Sequence, residues 1–301
     1  MKKLDRNFLD PDRPRQQDDV HLKDYELVIN HYRKFIAENV DCADVYVNLG
    51  FIYLDKEDYD EALRCFQKIV ELEPDHPEAH NNLGYVYEKM DMFDSAKKCY
   101  EQALALNDND IEAFINIAHI MELQGDYFGA VKQYKNAINS DSRAIAPRFC
   151  LAVLYDRYDM YDEAIEQYRK ILQINPAHTK SLYNIGRIYY QLGDYQTALT
   201  NFKNAVELDR ENADAWNNLG SVYETMENYQ EAQAAYRKAL AINPFHEETH
   251  VNMANIQYMI YSKQPEKIKI EDIRRRLQFV LSLNPHNKKA EKLLEKMGIG
   301  K

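Results

Sequence analysis

Long hydrophobic runs are missing from this chain of 301 residues, and with them any segment able to span a membrane. The amino terminus, MKKLDRNFLDPDRPRQQDD, has two lysines but no apolar stretch behind them, so it does not read as a secretory signal and a cytoplasmic location is expected. An excess of basic residues is missing too. The formal net charge of −11 excludes general nucleic-acid binding, because neutralising phosphates needs a basic face. Catalytic signatures are absent: there is no Gly-rich phosphate loop, GxSxG elbow, HExxH or CxxC. The chain is therefore read as non-enzymatic, with no cofactor and no metal. Cysteines number only 4; Cys65 and Cys99 stand 34 residues apart at equivalent places and read as small packing residues rather than a redox pair, and Cys42 and Cys150 show no partner spacing.

What is present is one unit, repeated. In Ala213–His246, ADAWNNLGSVYETMENYQEAQAAYRKALAINPFH, the residues Trp216, Leu219, Gly220 and Tyr223 recur at three-to-four-residue spacing, as do Ala232, Tyr236 and Ala239. Each set marks an apolar stripe on a helix. Gly220 and Ala232 are small where the two stripes meet, which lets the backbones approach, and Tyr223 and Tyr236 fill the space around that contact. Asn243-Pro244 ends the second helix. Steps of 34 residues backwards place further starts at Thr179, Ile145, Ile111, Pro77 and Ala43 without an insertion. The central alanine returns as Ala62, Ala96, Ala130, Ala164 and Ala198, and the aromatic four residues later as Phe66, Tyr100, Tyr134, Tyr168 and Phe202.

This unit resembles the tetratricopeptide repeat, and the resemblance implies an all-α fold: an α-solenoid, a right-handed superhelix of stacked antiparallel helix pairs in which each repeat buries its apolar face against its neighbours. The organisation expected from it is a flexible lead-in over residues 1–20, an amino-terminal capping helix as half a repeat over 21–42, and six uninterrupted repeats over 43–246. A seventh repeat over 247–287 carries an insertion, YSKQPEK, and a carboxy-terminal capping helix and tail fill 288–301. The first cap is expected to use Val28, Tyr32 and Phe35, which fall 34 residues before Ala62, Phe66 and Ile69. The repeat from Ile111 departs from the pattern, with Ala118 for glycine and Ser142 for the terminal proline.

One place before each Leu or Ile of the Leu-Gly pair stand Asn48, Asn82, Asn116, Asn184, Asn218 and, in the seventh repeat, Asn252; Cys150 breaks the series. That place lies on a second stripe of the first helix, which in the tetratricopeptide fold lines the inner surface. An asparagine amide both donates and accepts, so it can bond the backbone of an extended peptide without reading its side chains. Stacked helices lie about 8–10 Å apart and an extended chain rises about 3.3 Å per residue, so one rung meets every third ligand residue. The array resembles the superhelical repeats of O-linked N-acetylglucosamine transferase, without that enzyme's catalytic domain, where such an asparagine ladder binds peptide. The alternative is that asparagine is a tolerated surface residue copied with the repeat.

Around the broken rung Arg157, Lys180 and Arg187 form a basic patch beside Phe149, Tyr183 and Tyr190, and an acidic or aromatic ligand side chain is expected there. The lysine place of chaperone-binding carboxylate clamps holds Val47, Asn81, Ile115, Phe149, Tyr183, Asn217 and Val251, so docking of that kind is not expected. His76/His80 and His246/His250 have metal-ligand spacing, and Asp108 to Glu112 has the look of a calcium loop without its glycine; both read as turn and cap residues instead. The last forty residues are basic on an acidic body, with Arg274, Arg275 and Arg276 in line. The expected function is an interaction scaffold or adaptor for a protein partner's extended segment. The alternatives are a self-assembling scaffold that pairs the basic end with the acidic array, as in bacterial magnetosome-associated repeat proteins, and an accessory subunit that delivers substrate to a separate enzyme. The basic end could also meet an anionic membrane surface.

Overall fold

A computed structural model of the chain describes residues 18–38 and 42–298; the expected lead-in falls outside these except for its last three residues, which are helical. The described residues form sixteen α-helices and no strand, in two compact units that divide between Ser142 and Arg143. That division falls where the repeat-ending proline is replaced by Ser142.

Unit 1 opens with α1 (Asp18–Glu38) and continues as three helix pairs: α2 (Ala43–Asp55) with α3 (Tyr59–Leu72), α4 (Pro77–Lys89) with α5 (Phe93–Leu106), and α6 (Ile111–Leu123) with α7 (Tyr127–Ser140). Unit 2 has α8 (Ile145–Arg157) with α9 (Tyr161–Ile174), α10 (Thr179–Gln191) with α11 (Tyr195–Leu208), and α12 (Ala213–Thr225) with α13 (Tyr229–Ile242). It ends with α14 (Glu247–Lys263), a 3-10 turn (Pro265–Lys267), α15 (Ile270–Leu283) and α16 (Lys288–Lys296).

The sequence sets each helix end by local chemistry. Asp58, Asp126 and Asp194 open second helices by accepting from the backbone N–H groups of Glu61, Gly129 and Thr197. Asp110, Asn212 and Asn287 do the same for first helices and for α16. Between the helices of a pair, the turn needs one residue of left-handed backbone. Gly125 and Gly193 take it at φ 78° and 81°, and Glu57, Asp91, Asp159 and Glu227 take it at 58–60°.

The central alanines Ala62, Ala96, Ala130, Ala164, Ala198 and Ala232 are fully buried, and so are the rings four residues on, from Phe66 to Tyr236. Each ring lies against the small residue of its first helix: a Cβ placed on Gly84 would stand 2.6 Å from the Tyr100 ring, and Gly220 faces Tyr236 still more closely. Such contact leaves no room for a larger side chain at the crossing.

Two details differ from expectation. In α1 the buried residue is Ile29, with Tyr25, Tyr32 and Ile36 packed beside it, while Val28 and Phe35 are each 40% exposed. Val28 occupies the alanine's place, which in a full repeat faces the first helix of the same pair; among the described residues α1 has no such helix before it, so Val28 is left exposed and Ile29 is the residue turned inward. Tyr25 donates to Asp55, and Arg33 to the Tyr53 hydroxyl at 2.9 Å, fixing that setting. In the seventh repeat the insertion does not all become loop. The first helix, 13 residues long elsewhere in unit 2, absorbs part of it and runs to 17 in α14, taking in Tyr261, Ser262 and Lys263.

The crossing predicts that Ala198→Trp overpacks α10 against α11 and lowers stability by about 3 kcal/mol or more; an unchanged thermal midpoint would contradict the packing described.

Candidate functional site

A ring buried at a helix crossing must satisfy its hydroxyl if it is tyrosine. The partner stands on the first helix, twelve residues earlier. Tyr100 donates to Glu88 at 3.0 Å, Tyr134 to Glu122 at 2.5 Å and Tyr236 to Glu224 at 2.7 Å. Burial first, and then the neighbouring carboxylate, push the Tyr100 and Tyr236 hydroxyls well above the usual tyrosine range, so both remain donors. Where the ring is Phe66 or Phe202, the residue twelve earlier is Leu54 or Tyr190. In the sequence each of these tyrosines has its acid twelve residues earlier; Asp156 stands at that spacing before Tyr168, but the Tyr168 hydroxyl accepts from Asn184 and Asp156 pairs with Arg187.

These carboxylates share the first helices with the asparagine series, and in unit 2 the two features meet in one groove of about 720 Å³. Tyr183, Arg187 and Tyr190 come from α10, Asn218, Ser221, Glu224 and Thr225 from α12, Glu248 and Asn252 from α14, and Lys289 from α16, with Phe202 of α11 behind them. Of the residues singled out from the sequence, Tyr183, Arg187, Asn218 and Asn252 come together here. Asn184 is not in the lining; Arg157 and Lys180 are exposed and also lie outside it. Asn48, Asn82 and Asn116 belong to unit 1, each half-buried.

The amides are not equivalent. Among the described residues, no hydrogen bond engages the side chains of Asn48, Asn82 or Asn116. In unit 2, Asn184 donates to the Tyr168 hydroxyl at 3.0 Å and Asn218 to the Tyr183 hydroxyl at 2.9 Å. Each keeps one N–H and its carbonyl oxygen for a ligand. Asn252 turns its NH2 toward Asn217 Oδ1 at 3.2 Å and Ser221 Oγ at 3.5 Å, so it presents the carbonyl alone. Behind it, Asn217 is 2% exposed and also accepts from Thr249 at 3.0 Å, and Thr249 sits on the cap formed by His246. This buried chain orients the Asn252 rung. Tyr183 accepts from Asn218, so its own hydroxyl hydrogen stays available; burial raises its pKa and keeps it protonated.

One member of the expected basic patch is neutralised. Arg187 forms an ion pair with Asp156, whose side chain is 8% exposed; burial raises the Asp156 pKa and the guanidinium opposes that rise. Three of the four histidines spaced like metal ligands have structural tasks. His80 and His250 bond the carbonyls of Pro74 and Pro244 at 2.7 and 2.8 Å, as Trp216 bonds that of Arg210. His246 caps α14 and reaches Asp214 at 2.8 Å. Asp110 of the calcium-like run caps α6 and accepts from Asn81 at 2.8 Å. Burial pushes the Cys65 and Cys99 thiols up to about 11, which keeps them protonated and unreactive at neutral pH. No described helix is long and apolar enough to cross a membrane.

Sequence profiles described as tetratricopeptide repeat match residues 41–109, 151–178, 167–200 and 213–246, and one described as TPR repeat matches 186–227. Together they span more than half of the chain. No curated protein matches the sequence. Among solved structures, the C-terminal part of a TPR repeat-containing protein from Cytophaga hutchinsonii is similar at 19% identity and a TM-score of 0.63, over 81% of this chain and 98% of that one. PilF of Pseudomonas aeruginosa is similar at 16% identity and a TM-score of 0.61, over 73% and 97%. A tetratricopeptide repeat protein from Parabacteroides merdae is similar at 17% identity and a TM-score of 0.57, over 84% and 97%. At these identities the likeness is one of fold.

Two predictions follow from the carboxylates. Tyr236→Phe removes a bond to a charged acceptor and costs about 1–2 kcal/mol in denaturant unfolding, whereas Phe202→Tyr, with Tyr190 in the acid's place, gains no such stability. His119 bonds Glu88 at 3.1 Å, and that bond raises the imidazole pKa above its ordinary value. Its stabilisation is full below the unfolded pKa of about 6.5 and is lost as pH rises through the folded value. The difference in thermal midpoint between the natural chain and His119→Gln therefore shrinks between pH 6 and pH 8; a constant difference would show that the pair contributes nothing.

Proposed function

The chain belongs to the tetratricopeptide-repeat family, and from that premise we propose that it is a non-enzymatic interaction scaffold that binds an extended polypeptide segment along its first helices. The observation that carries this reading is the unit 2 groove, where Asn218, Asn252 and Tyr183 converge with hydrogen-bonding capacity left over. Backbone groups of an extended segment alternate donor and acceptor. Asn218 answers both, Asn252 accepts, and Tyr183 donates.

The supporting bonds matter as much as the rungs. A free asparagine side chain loses rotamer freedom when it binds, whereas one already held by Tyr183 or Asn217 has lost it during folding. Unit 2 is thus the pre-organised binding surface. The unengaged amides of Asn48, Asn82 and Asn116 supply a second surface in unit 1 that orders on contact.

Random extended peptides displayed on an array and probed with the full chain test this. Asn218→Ala combined with Asn252→Ala should weaken capture by roughly thirtyfold, at about 1 kcal/mol for each lost rung, and should do so uniformly across peptide sequences, because the rungs meet backbone. Unchanged capture by the double variant would remove the asparagines from the function.

A further inference from the structure

The charges of the unit 2 groove leave a remainder, and the remainder has a sign. Arg187 is paired with Asp156, and Lys289 with Glu248 at 2.9 Å. Glu224 is different. Its Oε2 accepts from the Tyr236 hydroxyl and its Oε1 from Asn255 Nδ2, each at 2.7 Å, and both donors are neutral. No Lys, Arg or His among the described residues lies within ion-pair distance of it. Neutral donors hold a carboxylate in place without cancelling its charge.

Glu224 is half-buried in the groove wall, next to Thr225, whose hydroxyl meets that of Tyr190 at 3.0 Å. A carboxylate in this setting is screened less than one on an open surface. The rings of Tyr183 and Tyr190 offer the kind of face that attracts a cation. Both features favour the same ligand group.

Resting on the peptide-binding reading above, we infer that the segment held in this groove carries a lysine or arginine whose cationic head meets Glu224 beside Tyr190. This differs from the acidic or aromatic ligand side chain expected around Arg157, Lys180 and Arg187. Two of those residues lie outside the lining, and the third is already paired. The asparagine rungs give affinity for any extended backbone, and Glu224 selects which segment is kept.

A random dodecapeptide display library panned on the full chain tests the inference, with the selected peptides labelled and titrated by fluorescence anisotropy. The expected winners share a Lys or Arg at one position, and changing it to Met weakens binding about tenfold. That difference should shrink from 50 to 500 mM salt and vanish in Glu224→Gln, while the Asn218→Ala and Asn252→Ala variant weakens the Lys and Met peptides alike. Winners without a shared basic residue overturn the inference, and so does a Lys-to-Met difference that salt leaves unchanged or that persists in a folded Glu224→Gln. The groove reading still stands in those cases if capture depends on Asn218 and Asn252. A library that yields no asparagine-dependent binder overturns both. The salt titration uses only the natural chain, so the inference stays open to refutation even if Glu224→Gln does not fold.

Discussion

The close crossing of two helices over an aromatic ring governs what else the chain can do. At each crossing a fully buried alanine lets the second helix approach, and the ring four residues later fills the space against a glycine or alanine of the first helix. When that ring is tyrosine, its hydroxyl arrives at the far side of the first helix, away from the core. It needs an acceptor there, and Glu88, Glu122 and Glu224 supply it. A packing requirement thus becomes a polar one, and the polar requirement places a carboxylate at the surface where a ligand can meet it.

The exceptions follow the same logic. Phe202 has no hydroxyl to satisfy, so its repeat is free to place Tyr190 where the tyrosine repeats place an acid. The groove of unit 2 gains an aromatic wall from that repeat and a carboxylate from the next one. Asp156 meets a different need, since the guanidinium of Arg187 reaches it from the following first helix. Core composition in each repeat therefore writes the chemistry of the groove, residue by residue.

The asparagine series gains its meaning from the same neighbours. In the sequence the six residues are equivalent, but their surroundings are not. Tyr168, Tyr183 and Asn217 hold the amides of unit 2, and among the described residues no comparable groups reach the side chains of Asn48, Asn82 or Asn116. Two surfaces with one motif can thus differ in how much ordering a ligand must bring about.

The sequence by itself determined the helix pairs, their 34-residue spacing and the tight alanine crossings, because these rest on local periodicity, turn residues and side-chain volume, all of which repeat in register. Only the tertiary structure decided the setting of α1, where a half repeat without its own first helix leaves Val28 exposed and turns Ile29 inward. Only the tertiary structure, likewise, decided the sign of the groove. Arg187 looked available in the sequence because its partner, Asp156, lies a whole repeat away, and Glu224 looked ordinary because its neutral partners, Tyr236 and Asn255, come from two other helices. Net charge at a site is a sum over neighbours in space, and a one-dimensional pattern contains the charges but not which of them cancel.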